Sequence, residues 1–179
     1  MDGSRIVMTL GREVSTKGST FTIRRFRDEP FTPVDLLEFK TFSSMQIAFF
    51  WLAMQYGMSM LFVGGTASGK TTSLNACSLF LPWQHKIVSI EETRELNLPH
   101  PNWIPGCTRQ GFGGESAGSG VKAAGEVDMY DLLRAALRER PEYIIVGEIR
   151  GAEAYVLFQA MATGHTTYCL LYTSPSPRD

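Results

Sequence analysis

Eight consecutive residues, Gly64-Gly65-Thr66-Ala67-Ser68-Gly69-Lys70-Thr71, restrict the fold more than any other stretch of the chain. They satisfy the spacing G-x-x-x-x-G-K-[ST], in which glycines let backbone N–H groups turn inward toward phosphate oxygens. Met60-Leu61-Phe62-Val63 just before them is a short apolar strand, and a helix is predicted from Lys70 to about Phe80. That helix would aim its positive end at bound phosphate. Lys70 would reach the β- and γ-phosphates, and the Thr71 hydroxyl would bind Mg²⁺. Strand, glycine loop and helix in this order belong to an α/β fold with a parallel sheet covered on both faces.

The rest of the chain keeps that rhythm. Ser43 or Ser44 can cap a helix running to about Tyr56, ended by Gly57. A strand is predicted at Lys86–Ile90, a helix from Asp128 to Glu139, a strand at Tyr143–Val146 and a helix from Glu153 to Ala162. The glycine-rich stretch Gly111–Gly125 reads as a flexible loop. Near the start, Ile6, Met8 and Leu10 alternate with Arg5, Val7 and Thr9, and Phe21 and Ile23 with Thr20, Thr22 and Arg24, which predicts an antiparallel strand pair. Asp28-Glu29-Pro30-Phe31-Thr32-Pro33 then suits a stiff linker. The expected organisation is therefore residues 1–27 as the last strands of an N-terminal domain, 28–35 as a linker or hinge, and 36–168 as the α/β domain.

Composition removes several alternatives. Of 179 residues, 44% are apolar, enough to fill a core and exclude wholesale disorder. A net charge of -1 gives no basic surplus for nucleic acid, and no nucleic-acid partner is expected. The three cysteines are too few and too scattered for a disulfide framework or a zinc knuckle. The apolar stretch Met45–Val63 is interrupted by Gln46, Gln55, Gly57 and Ser59, which fits a buried helix and strand better than a membrane span. A cytoplasmic protein is expected.

Cleavage of a nucleotide also needs acidic groups near Mg²⁺ and near the attacking water, usually at the ends of strands beside the loop strand. Ile87-Val88-Ser89-Ile90 leads into Glu91-Glu92, and Tyr143-Ile144-Ile145-Val146 leads into Gly147-Glu148. Glu148 stands where many P-loop enzymes have aspartate, against the small-GTPase pattern, and no N-K-x-D motif occurs. Arg24 and Arg25 cluster before the linker. They can swing over a bound nucleotide, or simply make a basic strand edge that blocks edge pairing.

Taken in order, Phe21–Phe26, Gly64–Thr72, Ser89–Leu96, Ile145–Gly151 and Met161–Thr167 resemble the secretion ATPases of type II secretion, type IV pili and archaella, most of all their archaeal branch. The resemblance implies a RecA-like P-loop ATPase core binding ATP and Mg²⁺, with Gly64, Gly65, Thr66, Ala67, Ser68, Gly69, Lys70, Thr71 and Thr72 on the nucleotide. Glu91 and Glu92 would be the acidic box, Glu91 polarising water. Glu148 would be the Walker B glutamate, which with Thr71 holds Mg²⁺, in part through water. His165 would open a histidine box that senses nucleotide, and Arg24 and Arg25 would complete the site. The implied assembly is a homohexamer, peripheral at the cytoplasmic face of a membrane, docked on a polytopic platform protein and powering filament assembly or secretion. A nucleotide-bound regulatory module without turnover and a DNA-stimulated RecA-like motor are the alternatives.

The final stretch, Cys169–Asp179, resembles a translated sequencing adapter, so the native pattern is expected to stop near Tyr168 and leave the core truncated at its C-terminus.

Overall fold

The computed structural model describes residues 4–13, 16–25, 29–111, 124–149 and 153–172. Most of the glycine-rich loop, Arg150, Gly151 and the last residues of the chain lie outside them. Among the described residues, β1 (Arg5–Thr9) and β2 (Thr20–Arg24) form an antiparallel hairpin. The α/β unit follows as α1 (Pro33–Glu38), α2 (Ser44–Gln55), β3 (Met60–Gly64), α3 (Lys70–Cys77), β4 (Ile87–Glu91), β5 (Trp103–Cys107), α4 (Met129–Arg138), β6 (Tyr143–Ile149), α5 (Glu153–Ala162) and β7 (Thr166–Tyr172).

Helix starts follow local chemistry. Ser43 caps α2 and Asp128 caps α4, each in a reciprocal box with the residue three positions on, contacts worth about 1 kcal/mol apiece. Thr32 does the same for α1, with Pro33 at its first position. The expected linker therefore ends in a helical turn. Proline at the first helical position loses no hydrogen bond and has its φ already set.

Five strands form one parallel sheet in the order β3-β7-β6-β4-β5. Alternate residues enter opposite cores. Val88, Ile144 and Val146 pack with Leu133, Leu157 and Ala160 of α4 and α5 on one face. Ile87, Tyr143, Ile145 and Tyr168 pack with Met54 of α2 and Leu74 of α3 on the other. Two-sided burial explains why these strands read as unbroken apolar runs. The stretch Met45–Val63 resolves into α2 and β3, and among the described residues no helix is long and apolar enough to cross a membrane.

Two strands have no counterpart in the sequence reading. β5 contains Pro105 and Gly106, residues that argue against a strand, but it lies at the sheet edge, where a missing N–H is tolerated. A Cβ on Gly106 would meet the Ser89 carbonyl oxygen at 3.2 Å, so close backbone approach also demands glycine there. β7 runs through the boundary drawn after Tyr168. Cys169 and Leu170 are buried and pair with Leu61 and Phe62 of β3. Thr-Thr-Tyr-Cys-Leu-Leu-Tyr has the β-branched and aromatic content of a buried strand.

Candidate active site

All five parallel strands point their C-terminal ends to one rim, where ligands of open α/β sheets bind. A cleft there is lined by Thr66, Ala67, Lys70 and Thr71 from the β3–α3 connection, Glu91 and Glu92 from the end of β4, and Glu148 from β6. Arg24 of the hairpin reaches the same cleft. The structure thus gathers most of the predicted site residues from segments far apart in sequence.

The loop takes its shape from unusual backbone. Gly69, immediately before α3, has φ +84°, and Ala67 has φ 59°, a left-handed conformation rare for a residue with a Cβ. Backbone strain of this kind concentrates at functional loops. The Ser68 hydroxyl donates to the Gly65 carbonyl at 2.9 Å and braces the turn. Lys70 Nζ donates to the carbonyls of Gly64 at 2.8 Å and Gly65 at 2.6 Å, which folds the ammonium back over its own loop. No side chain caps the start of α3, so its first N–H groups are not satisfied by a residue at Gly69. Thr72 lies in the first turn of α3, half-buried behind Thr71.

Glu91 is the most constrained acid of the cleft, at 2% exposure. Its Oε1 accepts the backbone N–H groups of Glu95 and Leu96, each at 2.9 Å, which fixes the carboxylate plane. Its Oε2 is buried and has no hydrogen-bond partner among the described residues. Burial pushes the Glu91 pKa above the ordinary glutamate value of 4.5, and the two N–H donors and Arg94 pull it partly back. Arg94 is itself held over the Trp103 ring at 4.9 Å. Glu92 is exposed at the cleft wall.

Glu148 arrives by a route the sequence did not predict. The strand does not stop at Val146. It continues to Ile149, and its register against β7 slips between Val146 and Ile149. Such a bulge re-aims side chains near a site, and here it turns Glu148 into the cleft. Gly147 beside it touches Glu91 closely: a Cβ at this position would lie 3.1 Å from Glu91 Cγ and 3.4 Å from Glu91 Cα. The pair Gly147-Glu148, read as a departure from the usual aspartate, thus also makes room for the buried glutamate.

Two residues have a place at the site that the sequence reading did not assign. Glu95 lines the cleft and places its carboxylate 3.0 Å from Arg24 Nη2. Its only signal in sequence was a second acid four positions after Glu91. Gly147 entered the sequence reading only as part of the Gly147-Glu148 pair, with no contact assigned to it. Arg25 is exposed beside Arg24 and is not among the residues lining the cleft.

His165 is not brought to this cleft. It precedes β7, so it lies at the opposite rim, where its Nδ1 is 3.3 Å from Thr163 Oγ1. The seven residues of β7 separate the two rims, a distance on the order of 20 Å at about 3.3 Å per residue. At the near end Tyr172 pairs in register with Gly64. Within one chain, any nucleotide-sensing role of His165 would therefore act from the opposite rim, because a residue before a parallel strand does not share a rim with residues that follow its neighbours.

Comparison with known proteins agrees with this architecture. Residues 7–176 match the family described as Type II/IV secretion system protein. The protein MJ0900 of Methanocaldococcus jannaschii is 50% identical over 164 residues, covering 92% of this chain and 28% of that protein. The type IV secretion system protein PtlH of Bordetella pertussis is 39% identical over 122 residues, 66% of this chain and 33% of PtlH. The pilus retraction motor PilT, solved with bound ADP, superposes with a TM-score of 0.62 at 22% identity, covering 98% of this chain and 49% of that structure. The chain spans about half or less of the length of these relatives. Its core is RecA-like α/β, as expected. With that fold and a match over nearly its whole length, the chain belongs to the type II/IV secretion system protein family.

Proposed function

We propose that the cleft binds ATP with Mg²⁺ and hydrolyses it, as the motor domain of a secretion or type IV pilus-like assembly machine. The observation that carries this reading is the meeting of Lys70 and Thr71 with Glu91, whose Oε2 is buried and has no partner among the described residues. A buried carboxylate oxygen left open beside a phosphate-type loop suits a ligand-bound water. The uncapped start of α3 suits the phosphates.

In this mechanism the loop N–H groups and Lys70 bind and orient the phosphate tail. Thr71 and Glu148 would hold Mg²⁺, which when bound neutralises charge on the β- and γ-phosphate oxygens. Glu91, pinned through Oε1, presents Oε2 to the attacking water and takes its proton. Arg24, with Arg25 beside it, offers a guanidinium from the hairpin to the developing charge on the transferred group. Motion of the hairpin about residues 28–33 would convert this cycle into mechanical work. Following the family resemblance, the working assembly would be a homohexamer at the cytoplasmic face of a membrane, docked on a platform protein; two of the relatives are named for type IV secretion and for pilus retraction.

Phosphate release and binding of a fluorescent ATP analogue test the proposal together. Lys70→Ala should lose binding and turnover. Glu148→Gln should keep binding and slow hydrolysis at least tenfold, the effect of removing a positioned transition-state group. Unchanged turnover in Lys70→Ala would remove the assignment. Binding without turnover in the unmodified protein, in this chain and in a longer relative alike, would favour a regulatory nucleotide-bound module.

A further inference from the structure

The β1–β2 hairpin is not held to the sheet by a packed core. Every residue of β2 is exposed, and Ile6, Val7 and Met8 of β1 are exposed as well. Arg24 nevertheless stands at the mouth of the cleft, 3.0 Å from the Glu95 carboxylate. Glu95 is also tied inward, since its backbone N–H donates to Glu91 Oε1 at 2.9 Å. One residue therefore touches the hairpin with its side chain and the buried acid with its main chain.

We infer that Glu95 is an electrostatic latch: it holds Arg24, and with it the hairpin, at the cleft mouth until nucleotide phosphate competes for the same guanidinium. Release rests on the nucleotide reading above; the latch itself does not. The Arg24 side chain is 67% exposed and that of Glu95 27%. A pair so exposed is weak and exchangeable, as a latch must be. A polyphosphate offers more charge and more acceptor oxygens than one carboxylate, so the fork of donors on arginine transfers to it. Glu95 is thus a positioning residue whose charge opposes nucleotide entry while keeping Arg24 within reach of it.

The test uses the full chain and a double-mutant cycle. Limited proteolysis of the connection between β2 and α1 reports hairpin release without needing activity. Without nucleotide, Glu95→Gln and Arg24→Gln should each speed cleavage by a similar factor, about two- to fivefold for a pair of this exposure. The double variant should be no faster than either single one, and the exchanged pair Arg24→Glu with Glu95→Arg should restore slow cleavage. Salt near ~1 M should bring the wild type to the rate of the variants. The non-hydrolysable analogue AMP-PNP with Mg²⁺ is the probe for release: Glu95→Gln should bind it about threefold more tightly than wild type, the competing charge being gone.

Additive effects in the cycle, or failure of the exchanged pair, would overturn the latch. Equal or weaker analogue binding by Glu95→Gln would overturn release by phosphate. No binding by the wild type at all would overturn the nucleotide reading, and release with it, while the cycle without nucleotide still decides the latch.

Discussion

Gly147→Ala isolates the geometry of the buried glutamate from nucleotide binding. The added methyl group would lie 3.1 Å from Glu91 Cγ, 3.4 Å from Glu91 Cα and 3.4 Å from the Ile90 carbonyl oxygen. Comfortable carbon–carbon contact needs about 3.5–4.0 Å, so Glu91 must retreat by about half an ångström. It has little room to do so, because Oε1 is fixed by two N–H groups and the side chain is 2% exposed. Overpacking of this kind costs about 1–3 kcal/mol of stability, or a few degrees in melting temperature for a domain of this size. A group misplaced by about 1 Å costs on the order of a hundredfold in rate, and half that displacement about tenfold. The three atoms nearest that methyl group all belong to Ile90 and Glu91 and none to the P-loop. Single-turnover hydrolysis should therefore fall about tenfold while affinity for the fluorescent ATP analogue changes less than about twofold. Wild-type turnover in a folded Gly147→Ala protein would refute the placement of Glu91 against this glycine, and so would a loss of affinity as large as the loss of rate.

Glu91→Gln should abolish turnover and yet raise the melting temperature at pH 7. Burial lifts the Glu91 pKa in the folded chain above 4.5, so as pH rises the unfolded chain ionises first and the folded state loses stability across that window. The gain from glutamine should shrink below pH 4.5, and a gain that is constant with pH would contradict it. The same shift places the acid limb of kcat/KM above the ordinary glutamate value of 4.5, readable in a pH–rate profile. Thiol labelling followed by mass spectrometry should modify Cys107 in the folded protein and spare Cys77 and Cys169, both buried and pushed up to about 12. Rapid labelling of Cys169 would mean that the second half of β7 does not occupy the sheet. Thr71→Ala should weaken binding of Mg·ATP more than that of ATP in EDTA; equal losses would remove its hydroxyl from the metal.

The sheet and the phosphate loop were legible because their signals are local. A glycine loop between Val63 and Lys70, and apolar runs ending at Ile90 and Val146, locate strand ends from the chain alone. The helix at Pro33 was legible too, since Thr32-Pro33-Val34-Asp35 carries a capping box with proline at the first position, but the prolines drew the reading toward a linker. What stayed hidden depends on contacts between distant segments. Whether Trp103-Ile104-Pro105-Gly106-Cys107 is a strand turns on its place at a sheet edge. The bulge that presents Glu148 exists only in register with β7. Glu95 acquires a role only once Arg24 arrives from another part of the chain. The place of His165 was hidden for the same reason, because which rim it occupies follows from the direction of β7 and not from the motif around it.

The position of β3 has a practical consequence. Among the described residues it pairs on one side only, with β7. Leu61 and Val63 on it are exposed, as are Phe49, Trp51 and Leu52 on α2. An open strand with oily neighbours is a template for self-association. Produced by itself, this polypeptide should cloud at concentrations where a longer relative stays clear, and charged replacements at Leu61 or Val63 would be the first remedy for anyone seeking to crystallise it.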